Sequence, residues 1–495
     1  MANKKASNFG SAPIQGTSGS DWVRRGGLLL GPLLYLCVLW LGRGALNAEA
    51  LAVGAVALWM ACWWMTEAIP LPATALLPIV LFPASGVVPA KEVTLSYGHP
   101  VIFLFLGGFL LSAAFKKSGL ARRVALRAVG LFGLHPRRVV LGVMSATALL
   151  SMWISNTACV VMMVPIALGV VTQVQGPGGG SGSHFGKAMM LGVAYAASIG
   201  GLGTIVGSPP NAIFVGYLES GMGRTVSFLD WMLYGVPLVA VGVPVAWFYL
   251  TRMACPLGRG GRPGSGSSLI RRELASLGAM GTAEKRVLLI SASVAGLWIL
   301  RGLWPHGFVR VGLEDVSDPM IAIFGALLLF ALSVRQPKLL EWSDAKEIPW
   351  GVLILFGGGL ALAKGIQGSG LGAWMADRLS ILEGFPHAVL VLAVTLVVIF
   401  LTELTSNTAT ATIFIPIMAA LGAATGEEPY PLMLAATTAA SCAFMLPVAT
   451  PPNAIVFGSG HLRIGEMIRA GLALNLFFAV LLFAAATWWL PLIWS

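Results

Sequence analysis

Two copies of Ser-Asn-Thr, Ser155-Asn156-Thr157 and Ser406-Asn407-Thr408, interrupt long apolar stretches of the chain. Irregular backbone in such surroundings is costly unless it is packed in protein or lines a wet cavity. A helix that starts at such a point presents unpaired N–H groups and a positive dipole end, and Asn and Thr side chains add further donors and acceptors. Together these make an anion cradle that needs no buried arginine. The carbonyls that end the preceding helix, joined by hydroxyl and amide oxygens, suit a hard cation such as Na⁺. Adjacent anion and cation sites partly neutralise each other at low dielectric.

The two tripeptides lie 251 positions apart (406 minus 155). The same offset maps Ser151 onto Thr402, Pro165 onto Pro416, Ser118-Gly119-Leu120 onto Ser369-Gly370-Leu371, and Gly107-Gly108 onto Gly358-Gly359. A register held over that length is an internal repeat. A second matched element, Gly207-Ser208-Pro209-Pro210-Asn211-Ala212-Ile213 and Ala449-Thr450-Pro451-Pro452-Asn453-Ala454-Ile455, has an offset of 242 (453 minus 211). Its prolines remove backbone donors and end one half-helix, and Asn211 and the residues beyond begin the next. Kinks of this kind also occur in membrane helices for packing alone, but four in matched pairs point to the site of a secondary transporter.

With 57% hydrophobic and 10% charged residues over 495 positions, the chain is far from a soluble protein and reads as an all-α polytopic membrane protein. The net charge of +11 does not signal nucleic acid, because the basic residues fall in short loops between apolar runs. Five cysteines, Cys37, Cys62, Cys159, Cys255 and Cys442, show no metal spacing and read as packing thiols. The first 22 residues are polar, so no cleavable signal peptide is expected, and the apolar run from about Leu28 is expected to stay as an anchor.

About eleven transmembrane spans are expected, over 26–43, 50–67, 70–85, 98–115, 187–218 (broken), 228–251, 285–303, 317–334, 349–364, 430–459 (broken) and 464–492. Residues 138–171 and 386–424 read instead as two re-entrant helical hairpins with the Ser-Asn-Thr motifs at their tips, the second arm of the first being the shorter. The expected order is a cytoplasmic tail at 1–25, scaffold helices at 26–97, a first repeat at 98–252, a cytoplasmic linker at 253–283, scaffold helices at 284–348 and a second repeat at 349–495. With the N-terminus cytoplasmic and the C-terminus outside, 24 Lys and Arg fall on the cytoplasmic side and seven on the other, as the positive-inside rule requires. An odd number of spans separates the hairpins, so the repeats are inverted, the arrangement that lets two faces open alternately.

Other groups carry less. Leu120 to Val129, with its arginines on one side, reads as a surface-lying connector against lipid headgroups, and Leu371 to Leu379 as its counterpart. The Gly/Ser-rich runs at 176–183 and 258–268 lack Gly-Lys-Ser/Thr after a strand and read as flexible loops rather than phosphate loops. Glu403 has Met152 as its first-half equivalent and reads as paired with a neighbour rather than as a coupling group. Glu67 reads as an interfacial anchor, and Lys116 and Lys364 can snorkel. A membrane hydrolase needs His, Asp or Cys clustered at depth, which the positions of the six histidines do not supply, so no enzyme is expected. Currents too large for a carrier cycle would instead mark a channel.

At the two Ser-Asn-Thr tips, the two Pro-Pro-Asn breaks and the run Ser441 to Val456, SCAFMLPVATPPNAIV, the sequence resembles the divalent anion/sodium symporter family over nearly the whole chain from about Leu28. The resemblance implies a homodimer with scaffold and transport domains working by an elevator mechanism. It implies one sodium site at Ser151, Ser155, Asn156 and Gly207 and a second at Thr402, Thr405, Asn407 and Ala449. Substrate carboxylates would meet Ser155, Asn156, Thr157, Ser208, Pro209, Ser406, Asn407, Thr408, Thr450 and Pro451. The implied activity is uptake of a small dianion, a C4-dicarboxylate such as succinate, malate or fumarate, driven by Na⁺ across the plasma membrane, or the inner membrane if bacterial. The alternative is a sodium-independent dicarboxylate exchanger, or a sulfate or citrate carrier, on the same fold.

Overall fold

The computed structural model describes residues 18–44, 46–132, 135–175, 182–258, 273, 275–303, 315–334 and 337–494. Among these the regular structure is helical, apart from one isolated bridge between Arg43 and Leu46. Both Gly/Ser-rich runs fall largely outside the described residues, as do residues 259–272 and 274 of the 253–283 linker.

Nine described helices are long and apolar enough to cross a membrane, and two of them, Asn156–Gln173 and Asn407–Thr425, are the second arms of the hairpins. The second arm of the first hairpin, Asn156–Gln175, has 20 residues against 16 in Pro136–Ser151. The sequence-based expectation of a shorter second arm is therefore wrong, because Pro165 sits within that helix without ending it. Two expected spans are also shorter than a bilayer needs. Residues 70–85 form Leu71–Thr74 and Leu77–Ala84, interrupted at Ala75 and Leu76 just before Pro78, and the expected 317–334 span is Asp318–Ala331 followed by a single 3-10 turn. These short pieces pack against the two glycine-pair helices. A Cβ on Gly107 would lie 2.7 Å from the Ala322 carbonyl carbon, and one on Gly358 would lie 2.3 Å from the Ala75 carbonyl oxygen.

The repeat holds at backbone level. Gly119 and Gly370 both take the left-handed conformation that turns a membrane helix into a surface connector, with φ of 81° and 82°. The hydroxyls of Ser118 and Ser369 accept from the N–H two residues on, at 3.4 and 3.3 Å. The connector of the second half then meets His387–Thr402 at a bend of 111°.

Arg123 of the Leu120–Leu131 connector departs from the expected lipid-facing role. It is buried, bonds Glu284 through Nε (2.7 Å) and Nη2 (2.9 Å), and donates to the carbonyls of Leu277 and Gly278 at 2.9 Å. Arg122 and Arg127 remain on the exposed side. Every ion pair among the described residues joins segments that the charge distribution puts on one face: Lys187 with Glu466, Lys117 with Glu341 and Asp344, Lys364 with Glu92, and Arg301 with Asp318 among them.

Breaking a buried, hydrogen-bonded ion pair from one side costs about 3–5 kcal/mol. Arg123→Ala should therefore lower the midpoint of thermal unfolding in detergent, whereas Arg127→Ala on the exposed face should shift stability by less than about 0.5 kcal/mol. Equal effects of the two substitutions would show that the buried pair does not tie the connector down.

Candidate functional site

In the first half, Ser151 ends one hairpin arm and Asn156 begins the other. Ser155 caps the second arm, its hydroxyl accepting from Ala158 N–H at 3.3 Å. The Asn156 amide lies against three oxygens. Turned with its nitrogen toward them, it donates to Ser151 Oγ at 2.6 Å, Ala197 O at 3.2 Å and Gly207 O at 3.3 Å. Gly201 and Gly207 make this approach possible, since a Cβ on Gly201 would stand 2.9 Å from Asn156 Oδ1 and one on Gly207 would stand 2.6 Å from Gly201 O. The fold thus brings Ser151, Asn156 and Gly207 together.

The first break lies between His184–Gly201 and Pro209–Met222, with a 3-10 turn at Ile205–Gly207. Pro209 and Pro210 open the second half-helix rather than closing the first, because their missing N–H groups would be unpaired there anyway. The carbonyls left open are taken up by Asn211, whose Nδ2 donates to Gly201 O at 2.9 Å and Thr204 O at 2.8 Å.

The second half repeats this brace. Asn453 Nδ2 donates to Ala443 O at 3.1 Å and Leu446 O at 3.0 Å, and both carbonyls sit at the 242 offset from Gly201 and Thr204. Thr402 Oγ1 donates to Asn407 Oδ1 at 2.8 Å, as Ser151 lies against Asn156, and also reaches Ala440 O at 2.9 Å. Thr450 caps Pro451–Phe457 through a 3.3 Å bond from Asn453 N–H. The tips differ in detail. Thr405 Oγ1 pairs with Thr410 Oγ1 at 2.7 Å, and Thr408 is buried where Thr157 is exposed. Ala449 is buried, whereas Ser406 and Pro209 are partly buried and Pro451 is exposed.

The two sets meet. Ser208 Oγ lies 2.9 Å from Ser441 Oγ, joining the first break to the second. The helix that starts at Pro209 packs on Asn407–Thr425, the second arm of the second hairpin, and the one that starts at Pro451 packs on Asn156–Gln175, the second arm of the first hairpin. Helix N-termini from both halves therefore gather beside clustered hydroxyl, amide and carbonyl oxygens, a combination suited to an anion with hard cations beside it. Among the described residues no three His, Cys, Asp or Glu side chains come together as a metal site, and the oxygens gathered at the two tips are hydroxyl, amide and carbonyl. Sequence reasoning did not single out the bracing carbonyl contacts of Asn211 and Asn453, although their 242 offset was visible, and it missed the part of Ser441 in joining the breaks.

Hairpin tips opposed to broken helices across an internal repeat define a secondary transporter of the inverted-repeat type. Solved structures agree on the fold. The chain is similar to the YdaH transporter of Alcanivorax borkumensis (TM-score 0.56, 17% identity, 78% of this chain and 85% of that one) and to MtrF of Neisseria gonorrhoeae (TM-score 0.58, 15% identity, 92% and 97%). Residues 29–495 match the sodium:sulfate symporter transmembrane region, and the chain belongs to that family, the divalent anion/sodium symporters its motifs resemble. It is 44% identical over 466 residues to the sodium-dependent dicarboxylate transporter SdcS of Staphylococcus saprophyticus, covering 92% of this chain and 89% of the relative. It is 43% identical over 477 residues to SdcS of Staphylococcus aureus, covering 94% and 91%.

Gly201→Ala puts a methyl group against the Asn156 amide at 2.9 Å, with no room on the Gly207 side. The variant is expected to fold and to lose transport, checked by uptake assays on protein whose monodispersity matches the parent. Parental transport by Gly201→Ala would show that the Asn156 position is not critical.

Proposed function

We propose that the chain is a secondary active carrier coupling inward movement of Na⁺ to uptake of a small dianion, a C4-dicarboxylate such as succinate, malate or fumarate. The observation that carries this reading is the matched pair of Asn-centred tips, Ser151 against Asn156 and Thr402 against Asn407, joined across the Ser208–Ser441 contact. Each tip supplies hydroxyl, amide and carbonyl oxygens for one Na⁺, and the helix N-termini beside them supply N–H groups for the two carboxylates. The names of the staphylococcal relatives support the same substrate and ion.

In this reading Ser151, Ser155, Asn156 and Gly207 hold the first sodium ion, and Thr402, Thr405, Asn407 and Ala449 the second. In the sodium-loaded state the Asn156 amide turns so that Oδ1 joins the oxygens now facing its nitrogen. The substrate lies between Asn156, Thr157, Asn407 and Thr408, flanked by Ser208, Pro209, Thr450 and Pro451. Interleaved packing of each break on the other half's hairpin supports movement of the site as one body, an elevator motion, because parting the halves would tear that packing. The protein would act as a homodimer in the plasma membrane, N-terminus cytoplasmic and C-terminus outside, with lipid around the scaffold. A transporter by family, it is assigned no enzymatic role.

Reconstituted into proteoliposomes, the protein should take up labelled succinate when an inward sodium gradient is imposed and not when potassium replaces it. Asn156→Ala and Asn407→Ala should each abolish that uptake. Uptake that ignores the sodium gradient but requires preloaded internal dicarboxylate would select an exchanger. The family's description makes sulfate the second reading, and it would be favoured if sulfate rather than succinate competes for uptake.

A further inference from the structure

Glu403 follows Thr402 directly in the chain and is 2% exposed. Its Oε1 accepts from the backbone N–H groups of Phe444 (2.7 Å) and Met445 (2.8 Å) and from Asn475 Nδ2 (2.8 Å), and its Oε2 accepts from Leu446 N–H (2.9 Å). Three successive N–H groups closed around one anion form a concavity of the kind that binds phosphate and carboxylate ligands. Here the chain fills it with its own side chain. Four donors converging on two oxygens fit an ionised carboxylate, since a proton there would face an N–H rather than an acceptor. Among the described residues no Lys, Arg or His forms an ion pair with it.

The first half has no such group. Its equivalent residue is Met152 (403 minus 251), and the backbone answers the difference. Leu202 and Gly203, equivalent to Phe444 and Met445, give their N–H groups to the carbonyls of Ile199 (3.1 Å) and Gly200 (2.9 Å) in tight turns. The Thr204 hydroxyl closes on the Met152 carbonyl. The turn that follows closes alike in both halves, Gly207 N–H on Thr204 O and Ala449 N–H on Leu446 O at 3.2 Å each, so the difference lies in the residues before it: the helix of the first half runs to Gly201, whereas its counterpart ends at Ala439. The carbonyls of Ser441 and Cys442, equivalent to Ile199 and Gly200, do not receive the N–H groups that Glu403 has taken. One side chain therefore keeps the second break more fully unwound and puts a negative charge beside Thr402 and Asn407, where the first half has a thioether.

We propose that Glu403 is a positioning residue that makes the two cation sites unequal, so that the second, at Thr402 and Asn407, binds Na⁺ more tightly than the first, at Ser151 and Asn156. The carboxylate does this without touching the ion: it holds the unwound segment in place, and its charge acts through a low-dielectric interior where no cationic side chain offsets it. The inference rests on the sodium-coupled reading above.

Two readouts test it: the rise in thermal-unfolding midpoint with added NaCl in detergent, against choline chloride at equal ionic strength, and succinate uptake into proteoliposomes as external sodium is varied. Glu403→Gln, which keeps the shape and removes the charge, should raise the half-saturating sodium concentration in both by roughly three- to tenfold, while half-saturating succinate at saturating sodium stays at the parental value. A second pair of variants leaves Glu403 in place in case its substitution prevents folding. Thr402→Val should raise half-saturating sodium more than Ser151→Ala. Parental sodium dependence in Glu403→Gln, a change confined to succinate, or equal shifts from Thr402→Val and Ser151→Ala would each overturn the proposal. A parent protein that shows no response to sodium in either assay would overturn the carrier reading itself, an outcome distinct from a parent that responds and variants that respond alike.

Discussion

Backbone polar groups inside a bilayer have no water to turn to, and each one left open costs several kcal/mol. A transporter that needs broken helices at depth must close those groups internally, and this chain does so with two buried asparagines. Asn211 spans the first break and Asn453 the second, each donating through one amide nitrogen to two carbonyls that the interrupted helix has released. The prolines on their N-terminal side remove donors that would otherwise need partners. With the breaks braced in this way, the helices that restart at Pro209 and Pro451 can hold their N-termini in a fixed place, and the hairpin tips can be packed against them.

Close approach does the rest. Gly201 and Gly207 leave room for the Asn156 amide, and Gly107 and Gly358 let the two repeat-defining helices lie directly on the backbones of the short pieces around Ala322 and Ala75. Association of helices in lipid draws on packing and hydrogen bonds rather than on the exclusion of water, so small residues at the crossings and hydroxyl or amide contacts between elements are what hold this chain together. The contact between Ser208 and Ser441 is one of these, and it joins the halves at the point where the breaks face each other.

The repeat, the hairpins and the breaks were legible in the sequence because each depends on residue types that stand out against an apolar background: Ser-Asn-Thr, Pro-Pro-Asn and the paired glycines. The left-handed Gly119 and Gly370 confirm the 251 register with nearly identical φ values. What the sequence left ambiguous was length and direction. A proline inside Asn156–Gln175 did not end that helix, whereas the third span divides just before Pro78, because a helix tolerates a proline where packing can absorb the missing bond. Arg123 looked like a headgroup contact, and its inward turn depended on Glu284, a partner far along the chain that helical periodicity cannot reveal. Glu403 stood out as a departure from the repeat, but its partners are backbone N–H groups of an unwound segment, which carry no sequence signature.

The crossed packing of the two halves also bears on biogenesis. Pro209–Met222 is a short helix with the buried polar residues Ser208 and Asn211 at its start, and the surface it lies against, Asn407–Thr425, emerges from the ribosome only after most of the chain has been made. Until then the first repeat has nothing to cover that face except lipid. Insertion of the early helices and completion of the pocket are thus separate events in time.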